Sequence, residues 1–205
     1  MSDNRQYKAL LAAAAEKLRT VYPTRLALRA CVDLDEEENA LCFNSFGREY
    51  KVRCSDWSIE PATNMWHHLV ILQYLAGANG LPPTADWVAL RELIPGSDAR
   101  AAEFERDCQS RFERLGKYTP QQMRRICKTL GAEFRYDESA DLTAILPFMP
   151  QFPIRLNYWF QDEEFPASGK FLVNAGVRTC LNMEIVGELM LFMARRMCAE
   201  GRRLR

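Results

Sequence analysis

The side chains best able to do chemistry stand in one passage near the C-terminal third of the chain. Asp162, Glu163 and Glu164 are consecutive, after Gln161 and before Phe165-Pro166. Such a cluster could hold a hard cation or supply a general acid and base. Carboxylates this close repel one another, and metal sites usually draw ligands from several segments. The competing reading is therefore a solvated turn with one carboxylate capping backbone N–H groups. Just upstream, Ile154, Leu156, Tyr158 and Phe160 alternate with Arg155, Asn157 and Trp159. That period of two predicts a strand with the first set facing the core and the second facing away. With Trp87 and Arg91, the second set could line a pocket of aromatic walls whose arginines suit a carboxylate or phosphate. The competing reading covers this face with a helix and pairs the arginines with Glu163 or Glu164. The candidate ligand-binding residues are thus Trp87, Arg91, Arg155, Asn157, Trp159, Asp162, Glu163 and Glu164. No catalytic residue and no metal ligand is assigned.

Two other groups carry reactive atoms. If Leu26 to Leu34, Ala40 to Phe46 and Glu49 to Cys54 are adjoining strands with tight turns, Cys31 faces Cys42 and Cys42 faces Cys54. Three thiols side by side would be an unusual metal or redox cluster. A slip of one residue removes it, and free cysteine is also a common small core residue. His67 and His68 are neighbours on a predicted helix and point about 100° apart, so they cannot serve one ion. One is expected outside and the other hydrogen-bonded inside. Arg195, Arg196, Arg202, Arg203 and Arg205 are read as complementing the dipole at the end of the last helix.

The elements that must position these groups follow from pattern. Helices are predicted from about Asn4 to Val21, Met65 to Ala76, Asp98 to Leu115, Pro120 to Leu130, and after an Asn182 cap. Besides the three strands above, Glu133 to Tyr136, Leu142 to Leu146, Ile154 to Phe160 and Lys170 to Val173 read as strands, and Trp87 to Leu93 fits either a strand or a turn of helix. Strands and helices come in clusters rather than in alternation. One α+β domain over residues 1–205 is expected, with a mostly antiparallel sheet and helices packed on one side.

The totals narrow the function classes. Lys and Arg number 27, as do Asp and Glu, and a neutral chain of 205 residues argues against a nucleic-acid partner. The longest apolar run, Met65 to Ala76, is broken by His67, His68 and Gln73 and is too short and polar to cross a bilayer. The seven cysteines are odd in number and widely spaced, and the start MSDNRQYK has no apolar leader core. A reducing, cytoplasmic setting with free thiols is expected. No ferredoxin-type cysteine run occurs, so no cofactor is expected of the chain itself.

Two passages carry a family resemblance: HHLVILQYLAGANGLPPTADWVALREL (His67 to Leu93) and LPFMPQFPIRLNYWFQDEEFP (Leu146 to Pro166), followed by FLVNAG and the last helix. They resemble the domain-of-unknown-function family 3786, in which DEEFP and its preceding aromatic are the specific features. This chain has Gln161 where a Gly is usual, and Thr179-Cys180-Leu181 where relatives tend to show His-Tyr-Leu. The resemblance implies a setting in anaerobic metabolism, with some relatives carrying a corrinoid-type iron–sulfur module. It implies no reaction.

The first expectation is therefore a non-enzymatic protein that holds a small ligand or a protein partner where the DEEFP turn, the Arg155 strand face and the Trp87–Arg91 segment meet. An enzyme using Glu163 or Glu164 as base or metal ligand is the second. A structural subunit with the polar-aromatic face as its oligomer interface is the third.

Overall fold

The computed structural model describes the backbone of residues 2–93 and 98–204 and the side chains within 7–93 and 99–204. The chain opens with helices α1 (Ser2–Arg19) and α2 (Pro23–Ala30). A meander follows, of β1 (Asp33–Asp35), β2 (Ala40–Ser45), β3 (Arg48–Arg53) and β4 (Ile59–Glu60). Next come α3 (Met65–Gly77), β5 (Trp87–Val88), α4 (Leu90–Leu93), α5 (Asp98–Leu115) and α6 (Pro120–Thr129). The chain then runs through β6 (Glu133–Arg135), β7 (Leu142–Met149), β8 (Phe152–Trp159) and β9 (Ser168–Asn174), and a 3-10 turn (Ala175–Thr179) leads into α7 (Met183–Arg203). The fold is α+β. Its strands form two antiparallel sheets, β1-β2-β3-β4 and β5-β9-β8-β7-β6.

Local chemistry explains the boundaries. Asn64 caps α3 by accepting from Trp66 N at 2.9 Å, and Asn182 caps α7 by accepting from Ile185 N at 2.9 Å. Thr119 and Gln122 form a reciprocal capping box ahead of α6, with Pro120 at its first position. The Trp87–Leu93 segment uses both of its options, two residues of strand and then one turn of helix.

One predicted strand is a helix. Leu26 to Ala30 belongs to α2, which starts at Pro23 and ends with Cys31 in the left-handed region at φ 53°. Leu26, Ala27 and Ala30 are buried while Leu28 is 78% exposed, the spacing of a helix and not of a strand. Cys31 therefore stands outside the sheet. Cys42 faces Asp33 on one side and Lys51 on the other, so the three-thiol cluster does not form. Among the described residues no three His, Cys, Asp or Glu side chains gather as a metal site.

A continuous cluster of buried side chains draws on both sheets. Phe46 N donates to Pro147 O at 2.7 Å, joining the β2–β3 turn to β7. Here Gly47 and Gly131, both at positive φ, pass so close that a Cβ on Gly47 would lie 2.9 Å from Gly131 N. Above this junction Phe148 is fully buried, with Phe152, Phe46 and His67 ring centroids at 5.4, 5.6 and 5.9 Å. On the second sheet Phe112 of α5 meets Tyr158 and Phe171 edge-on. No helix among the described residues is long and apolar enough to cross a membrane.

Candidate functional site

The Ile154–Trp159 ribbon has the orientation its alternation predicts. Ile154, Leu156 and Tyr158 are fully buried against the helices, and Arg155, Asn157 and Trp159 face the other way. That outer face is covered by the β6–β7 loop rather than by a helix. Arg155 pairs with Asp137, and its Nε donates to Asn157 Oδ1 at 2.8 Å. Thr143 Oγ donates to the same oxygen at 3.3 Å, and Trp159 Nε1 donates to Ser139 O at 2.9 Å. Asn157 is thereby buried and occupied.

The predicted residues divide between two cavities. Trp87 and Arg155 line a hollow of about 270 Å³ on the outer face, with Tyr136 and Asp137. Arg91 and Trp159 line a larger cleft of about 590 Å³. The topology of β9 creates this cleft. Two-residue β5 pairs only with Val173 and Asn174, which leaves the Ser168–Phe171 stretch without a neighbouring strand on that side. Gln109 of α5 partly fills the gap: its Nε2 donates to Ala167 O and its Oε1 accepts from Gly169 N, both at 3.3 Å. Phe112, Phe171 and Met190 form the apolar floor, and Lys170 stands exposed at the rim.

Most of the ionisable groups in the cleft are engaged or neutral. Arg91 is ion-paired with Glu105. Glu92 accepts from Ala89 N at 2.7 Å. Burial pushes the Cys108 thiol up to about 12, so it carries no thiolate near neutrality. Lys170 makes no ion pair among the described residues, leaving its charge available.

The acidic turn lines neither cavity. Asp162 accepts from Phe165 N at 2.7 Å and from Glu164 N at 2.8 Å, and these bonds hold its carboxyl below the usual range. It is a turn-former, ionised at neutral pH. Glu163 and Glu164 are exposed.

Both histidines have structural partners. His67 is fully buried, with Nε2 3.1 Å from Ser45 Oγ, Nδ1 2.8 Å from Thr63 Oγ, and its ring stacked 4.5 Å from Phe192. His68 is half-buried with Nε2 2.8 Å from Trp57 O, so neither histidine stands outside as one of the two was expected to.

The two diagnostic passages are tied to each other. Asn174 Oδ1 accepts from Thr84 N at 2.8 Å and from Gly176 N at 3.1 Å, and its Nδ2 donates to Thr84 O. The LPPTADW segment is thus clamped to the end of β9, which sets Trp87 and Arg91 in place. A family model described as Domain of unknown function (DUF3786) matches residues 23–196. The chain belongs to this family. In this DUF3786 chain the matched span contains β1 to β9 and all but the last turns of α7. Searches of curated proteins and of solved structures returned no match.

Sequence reasoning missed Glu105, Gln109, Phe112, Lys170, Phe171 and Met190 as cleft residues. Phe112 was legible only as part of an apolar helix stripe, and that stripe is both core and cleft floor. The brevity of β5, which opens the cleft, has no signature beyond Pro82-Pro83 and Pro95 on either side.

Proposed function

We propose that this DUF3786 protein is a non-enzymatic binding or accessory protein that holds a small organic ligand in the cleft beside the open edge of β9. The ligand class is an apolar, preferably aromatic, body bearing a carboxylate. The observation that carries this reading is the cleft itself: about 590 Å³, with an apolar floor of Phe112, Phe171 and Met190, the Trp159 wall and the unpaired Lys170 cation at its rim. That volume and lining are those of a ligand site. Apart from Lys170 at the rim, the polar groups that could drive a reaction there are neutral or already engaged, which favours binding over catalysis. The anaerobic, corrinoid- or iron–sulfur-linked setting belongs to the proposal through the family resemblance. The described residues do not fit a cluster of their own, and no step is assigned to one.

The test begins with anaerobic purification, native mass spectrometry and metal analysis, followed by amide NMR titration with benzoate and indole-3-acetate. An aryl carboxylate is expected to move the amides of Gly169 to Phe171. Lys170→Glu is expected to weaken it about tenfold, the scale of one charge-assisted contact, without changing the melting temperature. No co-purifying organic mass and no saturable response at these amides would remove the proposal.

A further inference from the structure

Helices α5 and α7 run side by side with their C-terminal ends together: Gly187 packs on Phe104, and one stretch further on Cys198 Sγ donates to Arg111 O at 3.7 Å. At that end a second cavity of about 280 Å³ is lined by Arg111, Arg114 and Lys117 from one side and by Arg195, Cys198 and Arg202 from the other. Among the described residues no carboxylate lines it. Among the described residues none of the five cations makes an ion pair, whereas nearby Arg196 and Arg203 are both paired with Glu200. In a chain whose 27 basic and 27 acidic residues balance, this is a local excess that the acids on the rest of the surface do not offset.

Helix dipoles account for only part of it. Two C-terminal ends supply together roughly one negative charge. Five cations exceed that severalfold, and their mutual repulsion needs an anion or dispersal into solvent. Tyr118 also lines the cavity; it is only 6% exposed, yet its hydroxyl has no hydrogen-bond partner. The hydroxyl end lies against Gly201, where a Cβ would come within 2.9 Å of the oxygen. Gly201 thus makes room for the Tyr118 ring edge against α7, where the hydroxyl oxygen is enclosed rather than open to the cavity. Buried hydroxyls are normally satisfied.

We propose that this cavity binds a small phosphate-bearing anion, with the arginine forks on its oxygens. The volume suits a charged head such as a diphosphate rather than a large apolar ligand, and planar guanidinium groups suit phosphate oxygens. The site is separate from the cleft beside β9 and does not depend on its assignment.

Sodium pyrophosphate is the probe, titrated into the full chain against sodium chloride of matched ionic strength, with amide NMR as readout. Saturable shifts are expected at Lys117, Tyr118, Cys198 and Arg202. Arg114→Glu and Arg202→Glu, both at exposed positions, are each expected to weaken pyrophosphate at least about tenfold. Three outcomes would overturn the proposal. In one, the shifts follow ionic strength without saturating. In another, affinity is unchanged in the charge-reversed variants. In the third, a single-stranded oligonucleotide outcompetes pyrophosphate, which would make this a nucleic-acid surface.

Discussion

Phe148→Ala is expected to destabilise the protein by about 3–5 kcal/mol, the range for emptying a fully packed phenylalanine site. Phe148 has no exposed surface and meets Phe46 from the first sheet, Phe152 from the second, and His67 from α3. The surroundings include the Gly47–Gly131 contact, where backbones already touch, so the cavity cannot close by simple collapse. Urea unfolding followed by far-ultraviolet circular dichroism and by tryptophan fluorescence measures the loss. Both probes should shift to the same lower midpoint, because the side chain belongs to a core shared by the two sheets. Separate transitions, with only one displaced, would show that the sheets fold independently. Phe148→Leu, which keeps most of the volume, should cost under about 1.5 kcal/mol.

Acidification is the second large effect. Burial lowers the His67 pKa to about 3, with the Arg196 charge adding to the shift. His67 is therefore neutral in the native state, whereas the unfolded chain takes up a proton below about pH 6.5. The unfolded state binds more protons, so stability is full above pH 6.5 and falls as pH drops toward the native value. The limiting slope is about 1.4 kcal/mol per pH unit for one site. Half-buried His68 is shifted the same way, chiefly by burial. Asp35, Asp56 and Asp162 have lowered values, so their losses fall at more acid pH. The interval between pH 6 and 5 thus isolates the two histidines of the chain. His67→Gln should be less stable at pH 7, since Ser45 and Thr63 lose a partner, yet its stability should fall less steeply across that interval. An unchanged slope would mean that His67 is reached by water or protons in the native state.

Much of the fold was legible because its signals are local and periodic. The alternation that begins at Ile154, the Asn182 cap and the predicted Asp98–Leu115 helix each named an element correctly. The Leu26–Leu34 reading failed for a physical reason. Leu26, Leu28 and Ala30 alternate as in a strand, but Pro23 starts a helix and Cys31 closes it, leaving Leu28 in solvent. That error carried the cysteine register with it, since a strand beginning at Asp33 has no thiol to offer Cys42. The candidate site was legible in residue type and face but not in grouping. Arg91 and Trp159 meet in one cleft, Trp87 and Arg155 in another hollow. The partners that decide charge, Asp137 for Arg155 and Glu105 for Arg91, are remote in sequence, and no spacing rule reaches them. The five-cation cavity was half visible in the arginines of the last helix, but its other wall comes from α5 and from Tyr118.

The Gln109 amide on the flank of β9 has an implication for how the chain matures. Its two contacts stand in for a missing neighbour strand, and they exist only once α5 has docked. A nascent or partly denatured molecule with α5 adrift would offer Ala167 and Gly169 as bare main chain to any passing β-segment. In Gln109→Ala the flank would stay unsealed, and light scattering during refolding from urea should rise with protein concentration more steeply than in the parent; identical scattering would mean that the seal has no protective role.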